Sequence, residues 1–400
     1  MIYMDNAATT RMSERAFEAM RPFFMEQYAN AAGTYSFANA SKEAVETARG
    51  QIARVIGAKP AEIFFTCGGT ESDNWALKGV AQAYAAKGRH IIISAIEHHA
   101  ILHSAQALEK QGWDVTVMPV DETGMVSAEA IDAAIRPDTV LVSIMAANNE
   151  IGTVEPLAAI GEVCKKHGVL FHTDAVQAFA HIPLNVDEMH IDLLSASGHK
   201  FHGPKGVGFL YVRKGVKLVP FMDGGAQEKK RRAGTTNVAG IVGMGAAAEE
   251  AAANMEETMA KVSAIRDHMI ARIEKEIPYC RLNGHRTERL PGNVNFCFRF
   301  IEGEGMLMLL DAHGICASSG SACPAPSTSA SASSRAKACS CCSTTAACAP
   351  PAAPPAPAAR STRPMCCWRL ACRMRSRTAP CASPSRRRRR SPTPISWSIP

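Results

Sequence analysis

No apolar run in this 400-residue chain reaches the roughly 18 residues that a membrane-spanning helix needs, so a bilayer-embedded protein is not expected. The N-terminus, MIYMDNAATT, lacks a basic stretch followed by an apolar one, which argues against a secretory leader. Acidic residues are missing altogether from residues 324–400, which hold 13 Lys and Arg. The formal charge of +7 therefore comes from the tail, since residues 1–323 carry 31 basic against 37 acidic side chains. The body is mildly acidic and nothing in it suggests a polyanion partner, so no direct nucleic-acid binding is expected. The six cysteines of the body (Cys67, Cys164, Cys280, Cys297, Cys316 and Cys323) are spaced neither as a disulfide framework nor as a zinc site. A reducing cytoplasm is the expected compartment.

The length exceeds that of a usual single domain, and 46% hydrophobic residues is a globular proportion, so two domains with a substantial core are expected. From about residue 60 short β-rich runs alternate with helical patterns. The strand candidates are EIFFT, HIIISAI, DVTVMPV, TVLVSIMA, GVLFHTD, IDLLSAS and GVGFLYV, and amphipathic stretches fall at 72–87, 100–111 and 157–167. The alternation predicts an α/β fold, a mostly parallel sheet covered by helices, with ligand groups at the carboxyl ends of its strands. Helical patterns also span about 12–28, 40–57 and 239–276. GNVNFCFRF reads as a further strand, and GMLMLLDAHG as a helix closed by Gly314.

The residues that could carry chemistry sit at those strand ends. Lys200, in SASGHKFHGPKG, lies 26 residues after Asp174 of GVLFHTDAVQ. A lysine at a glycine-flanked turn and an aspartate at the end of a buried strand are what pyridoxal phosphate needs: an amine for its aldehyde and a carboxylate for its pyridinium nitrogen. Gly68, Gly69 and Thr70 form a small-residue turn between strand and helix, where amides and a hydroxyl can hold a phosphate. Taken alone each feature has a bland reading. Gly-Gly-Thr can be only a turn, His98 a satisfied structural group, Asp174 a helix cap and Lys200 a solvated side chain. Their joint occurrence at successive strand ends favours a ligand site.

MDNAATT, TCGGTESDN, EHHA, NNEIGT, HTDAVQ, SASGHKFHGPKG, RRAGTTN and ASSGSAC, in this order, resemble the NifS/IscS-type cysteine desulfurases of the class V aminotransferase group over residues 2–323. The resemblance implies the aspartate aminotransferase-like fold of pyridoxal phosphate enzymes (fold type I), a homodimer, and L-cysteine as substrate. It implies an N-terminal segment of the small domain at 1–15, a large cofactor-binding domain at 16–255 and the small α+β domain at 256–323. Lys200 would carry the cofactor and act as base and acid at the substrate Cα. Asp174 would pair with the ring nitrogen, Gln177 and Asn149 would lie at the ring oxygen, and His98 would stack on the ring and assist proton transfer. Gly69, Thr70, Ser197 and His199 would hold the phosphate, with Thr235 reaching in from the partner subunit. Cys323 would take the sulfur as a persulfide, pass it to an acceptor protein such as an iron–sulfur scaffold or a tRNA-thiolation enzyme, and transiently ligate an iron–sulfur cluster during transfer. Ala317 to Ala322 are small residues that give such a nucleophile mobility. Read on its own, Cys323 is a loop thiol; Cys316, in the apolar run before it, is expected to be buried. Within the same chemistry, selenocysteine lyase and cysteine sulfinate desulfinase are the alternatives, and a protein thiol as acceptor favours the desulfurase.

Two departures from the family stand out. The N-terminal segment YANAAGTYSFA keeps Asn30, a candidate substrate contact, but has no histidine after it. The tail after Cys323 holds 13 of the 23 prolines, eight cysteines and the run Arg386 to Arg390, with no apolar periodicity, and is expected to be disordered. No arginine there matches the family's grip on the substrate carboxylate. Abundant Ala, Pro, Arg, Ser and Cys without acids suggests out-of-frame translation of a GC-rich coding region. The nucleotide sequence tests this: one of the other two frames should restore family-like motifs. Without its natural end the small domain would lose packing, and the chain could be an inactive cofactor-binding product. Cys341/Cys342 and Cys366/Cys367 lack the two-residue ligand spacing of zinc sites, so a metal-binding, nucleic-acid-binding tail is the weaker alternative.

Overall fold

The computed structural model describes residues 1–320 and 341–344, all within one compact unit, Met1–Pro355. Its strands are β1 (Ile2–Tyr3), β2 (Ile63–Thr66), β3 (His90–Ser94), β4 (Asp114–Met118), β5 (Thr139–Ser143), β6 (Leu170–Asp174), β7 (Leu193–Ser197), β8 (Gly208–Val212), β9 (Cys280–Leu282), β10 (Val294–Phe298), β11 (Ile315–Cys316) and β12 (Cys341–Thr344). Its helices are α1 (Glu14–Met20), α2 (Pro22–Met25), α3 (Asn39–Val55), α4 (Gly69–Tyr84), α5 (His99–Glu109), α6 (Ala128–Ala134), α7 (Leu157–His167), the short α8 (Gln227–Lys230), α9 (Val238–Ala253), α10 (Met255–Glu276) and α11 (Gly303–Ala312).

All seven strand candidates enter one sheet, in the order β2-β8-β7-β6-β5-β3-β4. It is parallel except for β8, which runs antiparallel to both β2 and β7. Every residue of β3, β5, β7 and β8 is buried because helices cover both faces. Successive side chains point to opposite faces of a strand, so Phe64, Ile91, Leu193 and Leu210 enter one core with Trp75 of α4. Their neighbours Phe65, Ile92, Leu194 and Phe209 enter the other, with Ile52 of α3 and Met244 of α9. α9 packs close on α1 and α3. A Cβ on Gly243 would lie 2.4 Å from the Met20 sulfur, and one on Gly245 2.7 Å from the Ala48 Cα.

Two long helical patterns are broken. Pro22 starts α2 because its missing N–H cannot continue the hydrogen bonds of α1. Asn254, at φ −109° and ψ 9°, leaves the helical region and separates α9 from α10. A third, small core joins Ile270 of α10 to Val294, Phe296 and Phe298 of β10. There β10 pairs antiparallel with β9 on one side and with β12 on the other. The pairing of β12 corrects the expectation of disorder for four residues of the tail. Backbone groups along an open sheet edge pair with any extended segment that reaches them, whatever its side-chain pattern. The rest of the tail, with the arginine run and Cys366/Cys367, lies outside the described residues. Cys316, expected to be buried, is half-buried.

Buried carboxyls make stability depend on pH. Glu155 is 3% exposed; its Oε2 accepts from the Val126 amide at 2.9 Å, while Oε1 has no partner. Burial pushes its pKa from 4.5 to about 8. Between those values the folded state holds a proton that the unfolded chain has released, so this group's contribution falls as pH rises from 4.5 to 8 and is level above. Gln at this position keeps an acceptor and cannot ionise. Glu155→Gln is therefore expected to melt increasingly above the parent as pH rises through that window, by a margin on the order of a few kcal/mol at the top. A melting difference that stays constant with pH would contradict a titrating Glu155.

Candidate active site

The sheet brings three strand ends to one place. Asp174 ends β6, Ser197 ends the adjacent β7, and a single 3-10 turn from Gly198 then delivers Lys200. Gly208 of β8 lies opposite both Ser197 and Thr66, and a Cβ there would meet Gly68 Cα at 2.7 Å. That absence of a side chain lets the turn before α4 close onto β7, with a Cβ on Gly68 only 3.6 Å from Ser197 Oγ. Gly69 is tighter still: its Cβ would lie 2.5 Å from Val176 Cγ2. Helix α4 has no side-chain cap, so its first amides are free to meet an anion, and Thr70 is exposed beside them. Glu71 locks this turn. It accepts the Cys67 amide at 2.8 Å and two bonds from Arg232 at 2.7 and 2.9 Å. Burial raises the Glu71 carboxyl, but the Arg232 and Cys67 bonds outweigh it and hold its pKa below the usual value.

Asp174 is 4% exposed, and its Oδ1 accepts the Val176 amide at 2.9 Å. Burial raises its pKa, opposed by that amide, His98 and Lys200. Burial likewise lowers the pKa of the Lys200 amine, against the pull of Asp174 and Asp5. A lysine destabilised as a cation is a better nucleophile and base near neutral pH. Its Nζ donates to the carbonyls of Ala7 and, at 3.1 Å, Ala8. Gln177 Nε2 donates to the same Ala7 carbonyl at 3.0 Å. His98 caps α5 by accepting the Ala100 amide at Nδ1, 3.1 Å, so its neutral ring carries the proton on Nε2. Its residue surface is largely open, yet crowding of the ring lowers its pKa. His199 Nδ1 meets Thr9 Oγ1 at 3.1 Å, and burial with Lys200 and Lys205 nearby brings its pKa to about 4.

The structure thus assembles Lys200, Asp174, Gln177, Ser197, His199, Gly69, Thr70 and His98 around the strand ends. Asn149 is half-buried beside Asn148, whose side chain does the local work, donating to Ile96 O and accepting the amides of Glu150 and Ile151. Asn30 is exposed, with its Oδ1 taken up by the Ala32 amide of its own turn. Thr235 lines a cleft of about 160 Å³ with Cys67, Arg232 and Asn237. Cys323, together with its sulfur-accepting and iron–sulfur roles, lies outside the described residues. The segment leading to it is anchored: β11 pairs with β1, and Ser318 Oγ donates to Asp5 Oδ1 at 2.7 Å. Asp5 begins the turn whose Ala7 and Ala8 carbonyls hold Lys200. Cys67 is exposed, but burial of its sulfur and the neighbouring Glu71 push its pKa to about 11, so it stays a thiol.

Sequence reasoning missed the Ala7 and Ala8 carbonyls, the Glu71–Arg232 pair and Asp73. All three lie inside the motifs MDNAATT, TCGGTESDN and RRAGTTN. Asp73, 1% exposed on α4, has an Oδ1 without a partner.

A mostly parallel sheet that sets a half-buried lysine beside a buried aspartate is the aspartate aminotransferase-like architecture of fold type I, whose enzymes work with pyridoxal phosphate. The chain belongs to the Aminotransferase class-V family, which matches residues 2–345, and within it to the NifS/IscS-type cysteine desulfurases. It is 55% identical over 322 residues to the cysteine desulfurase IscS of Methanosarcina thermophila, 80% of each chain. It is 50% identical to that of Dictyoglomus turgidum, covering 82% of this chain and 83% of the relative. Among solved structures it resembles a NifS-like protein at TM-score 0.78 and 39% identity, covering 80% of this chain and 87% of the other. SspA in complex with cysteine is similar at TM-score 0.71 and 38% identity, over 80% and 90% of the two chains. The family match reaches beyond Cys323 to include β12. The residues present fit the family's cofactor: a glycine cradle a Cβ would fill, uncapped helix amides for a phosphate, a lysine with a lowered pKa and a buried carboxylate.

Proposed function

We propose that this chain is a cytoplasmic, homodimeric L-cysteine desulfurase, which converts L-cysteine to L-alanine and moves the sulfur to Cys323 as a persulfide for iron–sulfur cluster, thio-cofactor or tRNA biosynthesis. The observation that carries the reading is the convergence of Lys200 and Asp174 at adjoining strand ends, close enough for each to shift the other's titration. No helix among the described residues is long and apolar enough to cross a membrane.

When bound, pyridoxal phosphate supplies an electron sink for charge developing at the substrate Cα. Lys200 would hold it, and its amine, with a lowered pKa, would take the Cα proton and return it. Asp174, anionic, keeps the proton on the ring nitrogen. His98, with its Nε2–H free of the α5 cap, would stack on the ring and assist proton transfer, while Gln177 and Asn149 would lie at the ring oxygen. The α4 amides, Gly69, Thr70, Ser197 and a neutral His199 would hold the phosphate, with Thr235 of the partner subunit. The Cys323 thiolate attacks the substrate sulfur. A sulfur–sulfur bond forms as the Cβ–sulfur bond breaks, the pair from that bond stays on carbon, and protonation gives the methyl group of alanine.

Replacing Cys323 by Ala separates the desulfurase from a selenocysteine lyase or sulfinate desulfinase, whose chemistry needs no acceptor thiol. Sulfide release from L-cysteine is expected to fall on the order of 10²-fold, the scale of losing a positioned reacting group, while selenide release from selenocysteine persists. Unchanged sulfide release would sink the assignment.

A further inference from the structure

Asp73 lies one turn into α4, beside Asp174, and the mechanism above leaves it unused. Its carboxylate, that of Asp174 and a ring nitrogen of His98 offer atoms that all lie within 4.8 Å of one another. Two buried carboxyls this near each other disfavour ionisation of both, and the one less well compensated holds its proton. The compensation available is one-sided. Asp174 faces Lys200 and His98 across the pocket and accepts the Val176 amide. Asp73 has the Ser195 hydroxyl, whose bond favours its charged form, His172 at 3.9 Å and the His98 ring, which burial keeps toward its neutral form, but not the pull of Lys200 that acts on Asp174. His172 is fully buried between Ser143 Oγ (2.8 Å) and Ser195 Oγ (3.0 Å), and burial brings its pKa to about 3, so it offers no positive charge. Glu97, the remaining acid nearby, is pushed to about 8 by burial and adds no cation either. Ser195 is also the register partner of Asp174 on β7, so the two acids share one hydroxyl-lined wall.

We propose that Asp73 is a positioning residue for Asp174: the two buried carboxyls share a single proton, and Asp73 holds it, so that the negative charge stays on the carboxyl facing the pocket. Unequal surroundings divide the pair into an acid and an anion. Burial and the nearness of Asp174 hold Asp73 well above the usual carboxylate range, which agrees with this division. A neutral Asp73 fills the space behind Asp174 and engages Ser195 without competing for the positive charge in the pocket. That it serves the ring nitrogen of pyridoxal phosphate rests on the function proposed above; where the proton sits does not.

The test has two arms on the full-length chain. In the first, infrared difference spectra compare the cofactor-free wild type with Asp73→Asn at neutral pH. The substitution is expected to remove the carbonyl stretch of one protonated carboxylic acid. Loss of a carboxylate stretch instead would overturn the proposal. In the second arm, uptake of pyridoxal phosphate is titrated by its visible absorbance. Asp73→Ala, which removes the Asp73 bond to Ser195 and leaves a gap behind Asp174, is expected to bind about tenfold more weakly, and Asp73→Asn to restore binding to within about threefold. An Asn variant no better than Ala would mean that an ionised carboxylate is required, and would overturn the proposal. Should Asp73→Ala not fold, the infrared arm on Asp73→Asn decides alone. A wild type that takes up no pyridoxal phosphate would overturn the functional reading, while the infrared arm would still locate the proton.

Discussion

Lys200→Ala protein is expected to lose L-cysteine turnover by about 10⁴-fold, the upper end of what a positioned acid–base group contributes, and to lose covalent attachment of pyridoxal phosphate with it. Both effects follow from one amine. Nζ sits under the Ala7 and Ala8 carbonyls, with its pKa lowered by burial. The chain should still fold. Lys200 is half-buried, and its backbone carbonyl, which accepts from His181 at 2.9 Å, is kept by alanine. Visible absorbance that resists borohydride reduction and falls away on gel filtration would mark a loosely held cofactor. Retained turnover in a folded Lys200→Ala protein would show that the amine is elsewhere.

Asp174→Asn is expected to cost 10²–10³-fold, in order of magnitude, in the rate of Cα proton removal while leaving Lys200 able to hold the cofactor. Asn keeps the acceptor for the Val176 amide, so the turn after β6 survives. It cannot keep a proton on the ring nitrogen, and the sink for the Cα electrons weakens. Exchange of the Cα proton with deuterated solvent reads this step apart from sulfur transfer. An Asn variant that exchanges as fast as the parent would remove Asp174 from the chemistry.

The large sheet was legible because each strand is a β-branched or aromatic run ended by a turn, and burial on both faces spares it the need to alternate. The helices fared less evenly. The 239–276 pattern keeps its apolar spacing across Asn254, and only the backbone dihedrals of that residue reveal two helices. Lys200 and Asp174 could be found from side-chain chemistry, whereas Ala7 and Ala8 act through carbonyls that no side chain announces. Asp73 escaped for a different reason: an acid in the first turns of an amphipathic helix ordinarily faces solvent, and its burial depends on β6 and β7 packing above it. β12 was hidden because edge pairing uses backbone groups alone.

The most direct measurement of the central claim is the mass of the Cys323 peptide after the full-length chain, loaded with pyridoxal phosphate, has met L-cysteine. The account predicts one added sulfur atom on Cys323, removed by reductant, with L-alanine formed in equal amount and neither product in Lys200→Ala protein. L-alanine formed with Cys323 unmodified, or sulfur on Cys323 in Lys200→Ala protein, would contradict it.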